Sequence, residues 1–218
     1  MTPPMLYLTG TNTAVGKTTL AMLLLRRARE RNLRIAALKP FCSGGREDAE
    51  QLHALQSAGL TLDEVNPFHF SEPITPALAA KNAHRGITLS ETLQHLQTMH
   101  QRGHPVLVEG AGGLMSPLGE KFTLLDVIRE LPGPTVIVGQ NILGVINSAL
   151  LTARALDSVN ITEKHFVLMA PSEPDASTPT NAAIISEWTG CPTHELPFLK
   201  SLATEHCSPL DTLLALLS

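Results

Sequence analysis

The stretch "LTGTNTAVGKTTL", residues 8–20, decides how this chain folds. It closes with Gly16-Lys17-Thr18, the end of the phosphate-binding pattern in which a glycine is followed by four residues and Gly-Lys-Ser/Thr. The first glycine of that pattern belongs at position 11, which is Thr11. The glycine stands one place early, at Gly10. The flanks choose between a phosphate loop and a chance Gly-Lys-Thr. "MLYLT" (5–9) has the apolar run of a strand buried on both faces, and "KTTLAMLLLRRARER" (17–31) is a strong helix. A glycine-bearing loop between strand and helix is the context the motif requires.

The chemistry follows from that placement. Backbone N–H groups of residues 13–18 (Thr13, Ala14, Val15, Gly16, Lys17, Thr18) converge at a helix N-terminus, where the helix dipole favours anions. Gly16 lets the backbone approach phosphate closely. Lys17 is suited to neutralise β- and γ-phosphates, and the Thr18 hydroxyl to ligate Mg2+. Gly10 ends the strand, and Thr11-Asn12-Thr13 add hydroxyl and amide groups that are free to face a second ligand.

Outward from the loop, strand-like runs alternate with amphipathic ones. The expected strands are 5–9, "RIAAL" (34–38), "VLVE" (106–109), "TVIV" (135–138) and "FVLM" (166–169). Helical patterns occupy 17–30, 48–58, 89–102, 123–131 and 145–157, with others near 178–189 and at the C-terminus. Residues 62–90 read as a long excursion with a short helix at 76–83. The alternation predicts a single-domain α/β fold of the P-loop kind, a mostly parallel β-sheet with helices on both faces. Each strand ends in small, polar or charged residues, such as Thr9-Gly10, Lys39-Pro40 and Glu109-Gly110, which converge on the crevice where such sheets bind ligands.

Composition narrows the class. With 218 residues, 43% hydrophobic and 17% charged, the chain suits one globular domain. A net charge of -4 without a basic run argues against a nucleic-acid footprint. The apolar segments are short and interrupted, so no membrane span or signal peptide is expected. Three cysteines without motif spacing fit reduced thiols in a cytoplasm. His100 and His104 are separated by a helix-breaking glycine and lack a third ligand, so they do not read as a zinc site. Trp188 reads as packing or interface.

Several ordered motifs together resemble the dethiobiotin synthetases. "TGTNTAVGKT" (9–18) is similar to that family's Thr-Gly-Thr-Asp-Thr-x-Val-Gly-Lys-Thr loop. "LKPFCSGG" (38–45) with Asp48 resembles its lysine loop, and "NPFHFSEPITPALAA" (66–80) its proline-rich excursion. "VEGAGGLMSPL" (108–118), "LGVINSALLTA" (143–153) and "ELPFL" (195–199) match further segments, so the resemblance covers nearly the whole chain. It implies closure of a cyclic urea on 7,8-diaminopelargonate from CO2 or bicarbonate, ATP and Mg2+, through a carbamate and a carbamic-phosphoric anhydride. It also implies roles. Lys17, Lys39, Thr13 and Ser43 are the expected catalytic groups. Thr18, Asp48 and Glu109 are expected to hold the metal. The nucleotide is expected on residues 14–19 (Ala14 to Thr19, with Thr19 the last), Gly110, Ala111, Gly112, Pro197, Phe198 and Leu199. The second substrate is expected on Thr13, Lys39, Ser43 and the helix start Gly144-Val145-Ile146-Asn147, whose amides suit a carboxylate. In the family that site lies between two copies, so a homodimer is implied.

The chain departs from the family pattern in places. Ala14 replaces a common Glu, and no basic residue precedes Leu143-Gly144. About Ala170, followed by Pro171, stands where an Asn commonly reads adenine, so other nucleoside triphosphates are expected to serve. The rivals are a nucleotide-switched regulatory ATPase, whose loop carries an early lysine absent here, and a small-molecule kinase, which would not depend on bicarbonate.

Overall fold

The apolar runs become strands stacked side by side in a computed structural model that describes residues 4–198 and 208–217. The elements follow in chain order. They are β1 (Met5–Gly10), α1 (Lys17–Glu30), β2 (Ala36–Leu38), β3 (Phe41–Ser43), α2 (Glu47–Leu55), α3 (Leu62–Val65), β4 (Phe68–Phe70), α4 (Pro76–Asn82) and α5 (Leu89–His100). Then come β5 (Val106–Gly113), α6 (Leu124–Glu130), β6 (Thr135–Gln140), α7 (Val145–Asp157), β7 (Lys164–Met169), α8 (Thr178–Thr189), β8 (Thr193–Leu196) and α9 (Pro209–Ala215). Six strands form one sheet in the order β2-β5-β1-β6-β7-β8, every pair parallel. A second, two-stranded parallel sheet joins β3 to β4.

Strand alternation divides the core in two. Tyr7, Val106, Val108, Ile137 and Phe166 face α4–α8, whereas Leu6, Leu8, Leu107, Val136 and Val167 face α1, α2 and α9. Burial on both faces explains why these strands read as apolar runs. β1 lies between β5 and β6: the chain builds β2 and β5 on one side of it before crossing to β6, β7 and β8 on the other, and a crevice opens beyond the carboxyl ends of the strands at this reversal.

All five expected strands form, with shifted ends. β2 begins at Ala36, and β5 and β6 extend to Gly113 and Gln140. The sequence reading lacked α3, β3, β4 and β8. Elements of three or four residues are too short for periodicity, and β8, "THEL", has no apolar run. The excursion contains the expected helix, ending at Asn82.

Candidate active site

Gly10 accounts for its displaced position by its surroundings. A Cβ at Gly10 would lie 2.6 Å from the Asn12 carbonyl oxygen and 2.9 Å from both Lys17 Nζ and Val15 Cγ2. The loop doubles back directly over the strand end, and only glycine leaves room. Thr11 N then donates to Val138 O at 2.8 Å, which fixes the start of the loop on β6. Gly16 sits at φ 97°, a left-handed conformation that favours glycine, and its face is covered by Met169. Helix α1 begins there with no side-chain cap and no acidic residue in its first turn. Its N-terminal amides are therefore available to an anion.

Four segments bring the charged groups together. Lys17 and Thr18 come from α1. Lys39 follows β2, Asp48 lies in the first turn of α2, and Glu109 is on β5. Lys39 Nζ lies 2.5 Å from Glu109 Oε1 and 3.1 Å from Asp48 Oδ2. The Thr18 hydroxyl donates to the same Glu109 Oε1 at 2.7 Å. Glu109 is 1% exposed, and its second oxygen, Oε2, is buried without a hydrogen-bond partner among the described residues. Lys17 Nζ donates to the Asn12 carbonyl at 3.2 Å.

Electrostatics separate the two lysines. Burial lowers the Lys17 pKa to about 8, helped by the neighbouring Lys39 charge and opposed by Glu109 and Asp48. Burial acts the same way on Lys39, but there the Glu109 and Asp48 charges outweigh it and the net shift is upward. Burial also raises the Cys42 thiol to about 11, so it stays protonated at neutral pH beside the site.

These groups line an open cavity of about 760 Å³. Of the expected residues, its wall includes Thr13, Ala14, Gly16, Lys17, Thr18 and Thr19 from the loop and α1. It also includes Lys39, Ser43, Asp48, Glu109, Ala111 and Gly112. Val15 is buried beneath the loop in the core. Gly110 packs on Leu124, at a register slip in which β5 bulges between the pairs Leu8↔Glu109 and Gly10↔Gly113. Pro197 and Phe198 are exposed at the end of β8, away from the cavity wall, and Leu199 lies outside the described residues. Residues 144–147 do not reach the cavity within one chain. Gly144 and Asn147 are exposed, and Asp175 accepts from Leu143 N at 2.7 Å, tying the β7–α8 loop to the start of α7.

Sequence reasoning missed some of the wall. Ser116, whose hydroxyl accepts from Gly113 N, Glu47, and residues 73–76 all line the cavity. The excursion was recognisable as a motif, but nothing local showed that it folds back over the site. A second recess of about 510 Å³ adjoins the first through Thr13 and Ser116 and runs to Ser148, Leu151 and Thr152 on α7. Met115 and Leu151, which line it, are 59% and 63% exposed, and Leu143, just before α7, is 81% exposed.

The donor set fits a divalent cation. Glu109 Oε2 is a buried, unpartnered carboxylate oxygen, and Thr18 and Asp48 add two further hard oxygens within the same cluster. Uncompensated buried carboxylate oxygen is costly, and a hard cation removes that cost.

A family model described as an AAA domain matches residues 5–206. The ATP-dependent dethiobiotin synthetase of Bacillus licheniformis is 35% identical over 192 residues, spanning 85% of this chain and 82% of that protein. The enzyme of the same name from Anaeromyxobacter dehalogenans is 35% identical over 189 residues, spanning 84% and 85%. That from Serratia marcescens is 37% identical over 164 residues, 72% of each chain. Among solved structures, a ParA family ATPase from Chlorobium tepidum aligns with a TM-score of 0.58 at 12% identity, covering 92% of this chain and 86% of that one. The cell division protein ftsY from Thermotoga maritima aligns at 0.51 and 17% identity, covering 99% and 69%. At these identities the two structures establish the shared fold alone.

Proposed function

Because the chain belongs to the dethiobiotin synthetase family, ATP-dependent ligases that form C–N bonds in biotin biosynthesis, we propose that it closes a cyclic urea on 7,8-diaminopelargonate. CO2 and ATP are consumed, and dethiobiotin, ADP and phosphate are released. The observation that carries this reading is the Lys39 ammonium, held between Glu109 and Asp48 on the same cavity wall as Lys17 and Thr18.

The chemistry has three steps. One amine adds to CO2 and loses a proton, giving a carbamate. A carbamate oxygen attacks the γ-phosphorus and ADP leaves, giving a carbamic-phosphoric anhydride. The second amine attacks the anhydride carbonyl, phosphate leaves and the ring closes. No protein nucleophile is needed, so the site must position reactants and stabilise charge. The amides of the loop and Lys17 hold the β- and γ-phosphates. Lys39 faces the oxygens that bridge carbamate and γ-phosphate. Thr13 and Ser43 orient the diamine by hydrogen bonds. Thr18, Asp48 and Glu109 would hold Mg2+, which supplies positive charge to the phosphate oxygens.

The recess adjoining Thr13 suits the aliphatic acid chain of the substrate, and the exposed Met115 and Leu151 on its wall, with the exposed Leu143, support a homodimer. In that arrangement the amides of Gly144, Ile146 and Asn147 meet the carboxylate of a substrate held mainly by the other copy, while Val145 N donates to Ile142 O at 3.1 Å and shapes the helix start.

Purified protein with Mg2+, bicarbonate and nucleotide, with and without 7,8-diaminopelargonate, tests the reading by mass detection of dethiobiotin. Product that requires every component is expected. Transfer of the γ-phosphoryl group to an acceptor hydroxyl without bicarbonate dependence would instead indicate a kinase, and release of free phosphate alone an ATPase.

A further inference from the structure

The chain leaves the main sheet at Lys39-Pro40, between β2 and β3. Both residues are buried there, and neither backbone carbonyl belongs to the six-stranded ladder. Buried acceptors of this kind need donors, and Phe68 N supplies one to Pro40 O at 3.0 Å, leaving the Lys39 carbonyl as the acceptor that most needs a side chain. One side chain, Asn66, which is fully buried, reaches both: its Nδ2 donates to Lys39 O at 2.7 Å and to Pro40 O at 3.3 Å. Lys39 N donates to Val65 O at 3.0 Å, so residue 39 is gripped on both backbone sides by the end of α3.

The amide is itself oriented. Arg46 Nε donates to Asn66 Oδ1 at 3.1 Å. The reverse amide orientation would set an oxygen against two carbonyls and an NH2 against a guanidinium. Arg46 also donates through Nη2 to Leu62 O, Asn66 O and Asp63 Oδ1, at 3.1, 3.0 and 2.9 Å. Arg46 directly precedes α2, and Asp48 lies two residues on. A single anchor, the end of α3, therefore holds both the lysine of the site and the helix start that carries its partner carboxylate.

We propose that Asn66 and Arg46 are positioning residues for the ligase reaction, setting Lys39 and Asp48 at the separation that the phosphate and carbamate oxygens require. The inference rests on the function proposed above. Neither residue lines the site cavity, so they act through Lys39 and Asp48 and not by touching the reactants.

The test uses the full-length Arg46→Met and Asn66→Asp variants. Asn66→Asp keeps the shape and removes both donors. Arg46, with a side chain 20% exposed, can change with less risk to folding. Misplacement by about an ångström is expected to lower kcat by about 10- to 100-fold, with the nucleotide KM little changed and the half-saturating Mg2+ concentration raised. Introducing Arg46→Met into an Asp48→Asn background should add little further loss, because the two changes act on one group. Wild-type kcat and Mg2+ dependence in Arg46→Met, or losses that multiply in full with Asp48→Asn, would overturn the inference. Should Asn66→Asp not fold, the Arg46→Met cycle decides alone. A wild type that makes no dethiobiotin overturns the ligase reading and this inference with it; a competent wild type beside a fully active Arg46→Met overturns this inference only.

Discussion

At the scale of single residues, the two lysines of the site make opposite predictions. Lys39 compensates a carboxylate that is 1% exposed, so Lys39→Met leaves Glu109 buried and unpaired. Breaking such a pair from one side costs about 3–5 kcal/mol of stability. Added Mg2+ should restore part of that loss, and should raise the melting temperature of Lys39→Met more than that of the wild type. Equal shifts in both proteins would argue against a metal on Glu109. Lys17 is held down to about 8 by burial and by the Lys39 charge. Its charged form therefore disappears as pH rises through about 8, and nucleotide affinity should weaken above that pH and hold below it, measured by titration calorimetry. Lys17→Arg should carry the binding plateau to higher pH, because a guanidinium remains charged there. The stability linkage has the opposite slope. A lysine whose folded pKa lies below its unfolded value binds fewer protons when folded, so this group's penalty is complete below about 8 and is relieved as pH rises from there towards the unfolded value.

At the scale of elements, the proposed function puts the nucleotide base at the end of β7. Ala170 N donates to Leu196 O at 2.9 Å, so that amide is already spent, and Pro171 has no N–H to offer. Neither side chain hydrogen-bonds. Wild-type kcat/KM values for ATP, CTP and GTP are therefore expected to lie within about 100-fold of one another, about 2.7 kcal/mol. Ala170→Asn should shift the preference toward ATP by about 1–3 kcal/mol, the discrimination that a bidentate amide–adenine pair supplies. Steady-state kinetics with each nucleotide checks both statements, and a wild type already strict for ATP would show that the base is read elsewhere. The two-stranded sheet of β3 and β4 belongs to the same scale. Its strands have three residues each, yet the pairing Phe41↔Phe68 to Ser43↔Phe70 brings the excursion back against the lysine loop. Phe41 and Phe68 stack with centroids 5.0 Å apart, so packing holds together a pair of strands too short to persist on their own.

At the scale of the whole molecule, the homodimer proposed above would bring the start of α7 to the site of the other copy. Residues 144–147 do not line the cavity, and Leu143 and Leu151, before and along α7, are exposed. Leu151→Glu is expected to give a monomer by sedimentation, with nucleotide binding retained and the KM for the diamine raised at least about tenfold, the effect of about 1.4 kcal/mol of lost binding. A monomeric variant with an unchanged KM would remove the second copy from the substrate site. The phosphate loop, its flanking strand and helix, and the parallel α/β class are legible in the chain itself. Residues 8–20 and the apolar periods around them determine all three, because strand burial and helix amphipathicity are local patterns. Lys39 and Glu109 are marked in the sequence by their places at strand ends, whereas Asp48, and the role of each of the three, is named only through family resemblance. Their meeting with Thr18 depends on β2, α2, β5 and α1 converging at the carboxyl end of the sheet. Only the tertiary structure decided the rest: Gly10 as the residue that leaves room beneath the loop, the unpartnered Glu109 oxygen, and Asn66 serving two carbonyls 26 and 27 residues away in the chain. The Glu109 cluster and the Asn66 bonds join segments distant in sequence, and the Gly10 contacts exist only once the loop has folded back on its strand; such contacts are written in no single stretch of residues.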